Sequence, residues 1–213
     1  MAEPLVREIA GPVGLLEVLV DAPKGAPRAV VVFAHPLPTQ GGTMHTKVVY
    51  QAAKAFAEIG CVVLRFNFRG VGRSAGAWDN GRGELDDYRA AVDYMAGQHP
   101  GLEIWAAGFS FGSYIALTVG ATDARICALV GIAPPVDRYD YGPAIAAAKP
   151  TFIIHGERDE LIPLRAVREF YGRLEEPKEL VEIDRANHLF EGQAGEVGDV
   201  LRDLLVDFSC AKP

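Results

Sequence analysis

Five residues, Gly108-Phe109-Ser110-Phe111-Gly112, constrain the fold of this chain more than any others. An apolar stretch at 102–107, broken only by Glu103, leads into them, and a nearly uninterrupted apolar segment at 113–121 follows. The first reads as a buried strand and the second as a helix. Strand, Gly-x-Ser-x-Gly and helix in succession form a nucleophile elbow. A serine hydroxyl is pushed out of a fold only where the chain turns sharply, and such a turn strains the backbone. Glycines two positions to either side let the strand and helix approach closely. The first amides of the helix then lie beside the serine oxygen, where negative charge develops during acyl transfer.

A second match, Gly72-Arg73-Ser74-Ala75-Gly76, lacks that context. The apolar run at 61–68 ends several residues before it, and Ala77-Trp78-Asp79-Asn80-Gly81 follows where a helix should begin. It reads as part of a glycine-rich loop at 69–83. Ser110 is therefore the candidate nucleophile, and Ser74 is not.

The rest of the chain supplies the layers such an elbow needs. Strand candidates at 5–9 and 15–20, separated by Gly11-Pro12-Val13-Gly14, suit an antiparallel pair at a sheet edge. Further strands are expected at 29–34, 61–68, 102–107, 126–133, 151–155 and 179–184. Amphipathic helices fall between them: Val48 to Ile59 with Gly60 as its stop, Leu85 to Met95, a segment led by Pro163, and a closing helix from Val197 to Phe208. Strands alternating with helices from Ala29 onward imply an α/β fold, a mostly parallel sheet of about eight strands with helices on both faces. No repeat or linker divides the chain, so 1–213 is expected to be one domain.

A serine nucleophile needs a base to take its proton and a carboxylate to orient that base. In a parallel sheet these groups belong on loops at the carboxyl ends of strands, the edge that carries the elbow. His188 lies just beyond the final strand and is the best placed of five histidines. His35 and His155 close strands and suit backbone hydrogen bonds; His45 begins a helix and His99 ends one. Asp159 follows the strand at 151–155 and is the leading candidate acid. Glu157 and Glu160 lie beside it, and Asp137 and Asp140 form a second acidic site after the strand at 126–133.

The order Ser110, Asp159, His188 is the α/β-hydrolase order. With His35-Pro36-Leu37-Pro38, the elbow, His155-Gly156-x-x-Asp159 and Asn187-His188, nearly the whole chain resembles a small α/β-hydrolase of the dienelactone-hydrolase-like group. That group uses a cysteine nucleophile, whereas serine stands here, which argues against dienelactone as substrate. The resemblance implies one oxyanion donor at the Phe111 amide and another in the loop after the strand at 29–34. Pro36 and Pro38 have no N–H, so Leu37 is the only amide donor between His35 and Thr39, held stiffly by its neighbours.

The segment between the strands at 126–133 and 151–155 has no room for a lid or cap domain. The site is expected to be open, rimmed by Trp78, Tyr139, Tyr141, Leu161 and Leu189. These features point to a serine hydrolase cleaving short-chain carboxylic esters through an acyl-serine intermediate. A serine peptidase, thioesterase or acyltransferase, or a non-catalytic protein of the same fold, are the other readings of this constellation.

Composition excludes several partners. Net charge is −7, against nucleic acid or an anionic membrane. Cys61, Cys127 and Cys210 lack metal-ligand spacing and read as buried thiols in a reducing compartment. No signal peptide is visible at 1–14, and no apolar stretch reaches membrane-spanning length. The expectation is a cytoplasmic monomer or homodimer acting on a small-molecule ester, with no cofactor and no metal.

Overall fold

The computed structural model describes residues 6–210. The eight strands are β1 (Val6–Gly11), β2 (Gly14–Asp21), β3 (Ala29–Ala34), β4 (Cys61–Phe66), β5 (Glu103–Phe109), β6 (Ile126–Ile132), β7 (Thr151–Gly156) and β8 (Lys178–Ile183). Six α-helices connect or follow them: α1 (Lys47–Glu58), α2 (Arg82–Gln98), α3 (Phe111–Thr122), α4 (Gly142–Ala146), α5 (Leu164–Arg173) and α6 (Ala194–Leu205). The first strand expected from sequence began at Leu5, which lies outside the described residues, as do residues 1–5 of the segment read for a leader.

All eight strands form one sheet in the order β1-β2-β4-β3-β5-β6-β7-β8. β1 and β2 pair antiparallel at the edge, and every pair from β4 to β8 is parallel. β3 and β5 are therefore central, buried on both faces, and need continuous apolar sequence. In β3, Val30, Val32 and Ala34 point to one core while Ala29, Val31 and Phe33 point to the other. Helices α2, α3 and α5 cover the first face, and α1 and α6 pack together on the second. Between β6 and β7 stands only a loop and the five residues of α4, so no lid covers the upper edge.

Two boundaries and one cysteine pair differ from expectation. β4 ends at Phe66 because the next amides leave the β3 ladder: Asn67 N–H goes to Glu17 O and Phe68 N–H to His35 Nε2. α6 ends at Leu205, not Phe208. Arg28 takes the Leu205 and Phe208 carbonyls, and the Phe208 ring packs on Trp105 and Phe152 at 5.3 and 4.9 Å. Cys127 and Cys210 are not free thiols; they form a disulfide across 83 residues. Only Cys61 is free among the described residues, and burial pushes its thiol up to about 11.

Candidate active site

Ser110 sits between β5 and α3 with φ 51° and ψ −122°. A positive φ at a non-glycine residue is strained, and the surroundings hold it in place. Its N–H donates to Ile132 O at 2.8 Å, which continues the β5–β6 ladder through the turn, and Ser113 Oγ donates to its carbonyl at 2.6 Å. The flanking glycines are there for close approach. A Cβ on Gly108 would lie 2.2 Å from Gly112 O, and one on Gly112 would lie 2.3 Å from Ala34 O. Any side chain at either position would push α3 off the ends of β5 and β3.

The other two side chains arrive on the loops after β7 and β8. Gly156 lets those loops meet, since a Cβ there would lie 2.5 Å from Ala186 O. His188 Nε2 is 2.9 Å from Ser110 Oγ, and its Nδ1 is 2.7 Å from Asp159 Oδ2. An ionised carboxylate only accepts, so the proton belongs on Nδ1 and leaves Nε2 to accept from the serine hydroxyl. Asp159 Oδ1 accepts from the Leu161 and Ile162 amides at 2.9 and 2.8 Å. Burial disfavours its charge, but the hydrogen bonds from His188 and Ile162 outweigh burial and hold the carboxyl below the usual range. The chain Asp159–His188–Ser110 is thus continuous, buried at its acid end and open at the serine.

The competing side chains are occupied elsewhere. Asp140 caps the Gly142 N–H at 2.8 Å, and Asp137 lies 3.8 Å from Arg138. Ser74 is buried, donating to Asn67 O and accepting from Glu17 N, so it staples the 69–83 loop to β2. Glu160 accepts the His188 backbone N–H at 3.2 Å, a supporting role that residue type alone did not reveal. His35 and His155 make the expected backbone hydrogen bonds. His35 Nδ1 donates to Pro36 O at 2.7 Å and Nε2 accepts from Phe68 N–H at 3.1 Å, while His155 Nε2 donates to Ile162 O at 3.0 Å. His35 thus ties the loop bearing Leu37 to the loop after β4.

A cavity of about 40 Å³ lies over Ser110, lined on one side by Leu37 and Phe111 and on the other by Tyr139, Leu161 and His188. Neither the Leu37 nor the Phe111 amide donates to another described residue, so both N–H groups are available beside Ser110. Of the expected rim, Tyr139 and Leu161 line the cavity. Trp78 instead stacks edge-on against Phe111 at 5.1 Å, Tyr141 is buried against Phe170, and Leu189 is exposed outside the lining. Gln40, Pro135, Arg138 and Ile162 complete the wall and were not anticipated. Arg138 gets there because its Nη2 donates to Leu161 O at 2.9 Å, a contact between two loops that spacing does not encode.

Among the described residues, one set of His, Cys, Asp or Glu side chains converges closely enough to hold an ion: Glu103, Cys127 and Cys210. It lies at the opposite edge of the sheet, where β5 and β6 begin.

The chain resembles known proteins over nearly its full length. A serine hydrolase homologue from Coxiella burnetii is 39% identical, with a TM-score of 0.89 over 96% of this chain and 98% of that one. An α/β serine hydrolase without a lid from Xanthomonas campestris is 37% identical, with a TM-score of 0.89 over 100% of this chain and 98% of its own. A monoacylglycerol lipase of Mycolicibacterium smegmatis is 31% identical over 60% of this chain and 46% of that protein. The family described as Hydrolase_4, serine aminopeptidase S33, matches residues 25–149, which include the elbow, Leu37 and both glycines beside Ser110. This chain belongs to that family and has the lidless α/β-hydrolase fold.

Proposed function

We propose that this protein hydrolyses short-chain carboxylic esters through an acyl-serine intermediate. The observation that carries the proposal is the unbroken line from the buried Asp159 carboxylate through His188 to Ser110, with distances of 2.7 and 2.9 Å. In this reading Ser110 Oγ attacks the ester carbonyl while His188 Nε2 takes its proton. The Leu37 and Phe111 amides hold the resulting oxyanion, and His188 returns the proton to the leaving alcohol. Water, activated by the same imidazole, then releases the acid. Asp159 stays ionised throughout and fixes the imidazole tautomer.

An ester rather than a long-chain lipid is favoured by the size of the cavity at Ser110 and by the uncovered upper edge. The lipase relative supports ester chemistry of a general kind. A cytoplasmic setting belongs to the same proposal; no helix among the described residues is long and apolar enough to cross a membrane. The test is labelling with a fluorophosphonate probe, combined with turnover of a panel of esters, thioesters, amides and aminoacyl anilides. Labelling abolished by Ser110→Ala, with esters the fastest class, is the expected result. Labelling that survives Ser110→Ala, or anilides turned over faster than esters, would refute it.

A further inference from the structure

One cluster of side chains without a role in ester hydrolysis lies at the floor of the sheet. There a cavity of about 530 Å³ is lined by Glu103, Cys127 and Cys210, with His99 and Arg125 on its wall. Glu103 begins β5, and Cys127 is the second residue of β6, so both are held by central strands. Cys210 lies on the irregular segment beyond α6, held there by its N–H to Glu103 and by the disulfide. One carboxylate oxygen and the two sulfurs all lie within 4.8 Å of one another.

We infer that this cluster is a thiolate–carboxylate site for a zinc-class divalent cation, formed when the Cys127–Cys210 disulfide is open. A dithiol reductant supplies two electrons and two protons, leaving two Cys thiols and its own cyclic disulfide. The cation then displaces both thiol protons and binds two thiolates and the Glu103 carboxylate, with a water from the cavity in the fourth position. Tetrahedral zinc with Zn–S bonds near 2.3 Å needs its two sulfurs roughly 3.8 Å apart, within the span of the cluster once the S–S bond is broken. Two soft thiolates with one carboxylate suit zinc better than magnesium or calcium, which prefer all-oxygen sets.

Hydrogen bonds already orient the carboxylate. Trp105 Nε1 donates to Glu103 Oε2 at 3.2 Å, Cys210 N–H to the same oxygen at 3.1 Å, and Ser209 Oγ to Oε1 at 2.7 Å. Outer hydrogen bonds of this kind fix a ligand's direction and raise its affinity for the ion. Disulfides in a reducing compartment are seldom permanent, so there the open, metal-ready form would predominate. Disulfide and metal-bound states exclude each other, because both use the same two sulfurs. The inference does not rest on the proposed ester hydrolysis, whose residues stand about 20 Å away at the far end of β5, six residue steps on.

Cobalt(II) titration of the full chain tests it. After anaerobic reduction and removal of the reductant, the protein should bind one cobalt per chain. Binding should give a thiolate-to-cobalt absorption band in the near ultraviolet that zinc bleaches. The oxidised protein should show no band. Cys127→Ser and Cys210→Ser should abolish the band, Glu103→Gln should weaken cobalt about tenfold or more, and Cys61→Ser should leave it unchanged. Far-ultraviolet circular dichroism and the thermal midpoint of each variant report folding independently of any activity; alkylating both thiols of the reduced wild type gives a second loss of binding that does not depend on any variant. A reduced wild type without the band, a band retained in Cys127→Ser, or equal binding by the oxidised protein would each overturn the inference.

Discussion

The two edges of the sheet have opposite designs. At the upper edge three side chains, each on a different loop, form one hydrogen-bonded line that ends at Ser110 in a cavity of about 40 Å³. At the lower edge a cavity of about 530 Å³ holds sulfur and carboxylate, tied down by a disulfide and a tail clamped by Arg28 and Glu103. The upper edge is rigid at backbone level, because glycines there press directly against carbonyl oxygens. At the lower edge the tail is held to the sheet by side-chain contacts and one covalent bond. The proposed acyl transfer, which needs sub-ångström placement, suits the upper edge, and the proposed opening of the disulfide suits the lower one.

The largest expected contrast is in turnover. Ser110→Ala or His188→Ala should lower kcat by roughly 10⁴–10⁶. Cys127→Ser should leave ester turnover within about twofold of wild type, since it removes nothing at the upper edge. A comparable collapse in both would mean the two edges are coupled. Next in size is Asp159→Asn, which keeps the shape but reverses the preferred imidazole tautomer and should cost roughly 10³–10⁴ in kcat. Asp140→Asn should cost little. If Asp140→Asn is the more damaging, the acid belongs to the loop after β6.

A smaller effect appears in acid. Burial lowers His35 to about 4, and it lowers His155 as well. Both are held neutral in the fold, while the unfolded chain protonates them near the free value of about 6.5. Below that pH the unfolded state binds more protons, so these two histidines make stability fall as pH drops from about 6.5, and the His35 part of the loss is complete below about 4. His35 alone should account for about 3 kcal/mol of that loss. Urea unfolding at several pH values would measure it, and His35→Asn, which cannot titrate, should flatten the slope. A slope unchanged by His35→Asn would show that water reaches the His35 ring in the folded protein.

The acyl-length effect is smaller still per step. Each methylene that a pocket covers contributes about 0.8 kcal/mol, and the small cavity at Ser110 covers few. In a series of p-nitrophenyl esters, kcat/KM should peak at short chains and fall beyond medium length. Palmitate as the best substrate would mean that the Leu161 and Tyr139 loops close over the acyl chain. The smallest expected effect is that of EDTA on ester turnover, which should be nil: the described metal-capable cluster lies at the lower edge. Activity lost to EDTA and restored by zinc would break the separation of the two edges.

What the sequence determined by itself was local. The Gly-x-Ser-x-Gly turn, its apolar strand and its helix are contiguous, so spacing reports geometry directly, and Ser110 was legible. Strand–helix alternation fixed the parallel sheet for the same reason, since hydrophobic period and length are properties of short segments. Asp159 and His188 were legible one step further out, because a parallel sheet sends every post-strand loop to the same edge. Only tertiary structure could choose among Asp159, Asp137 and Asp140, all at that edge, because the choice depends on which loop reaches His188. The cavity wall was less legible: Trp78 and Tyr141 carry the same apolar signal whether they line a cleft or fill a core, and burial alone tells them apart. The floor was not legible at all. Cys127 and Cys210 are 83 residues apart, and Glu103 breaks an apolar strand without apparent reason. They meet because β5 and β6 are neighbours and Arg28 folds the tail back beneath them, and contacts made across a sheet leave no period or spacing in the sequence.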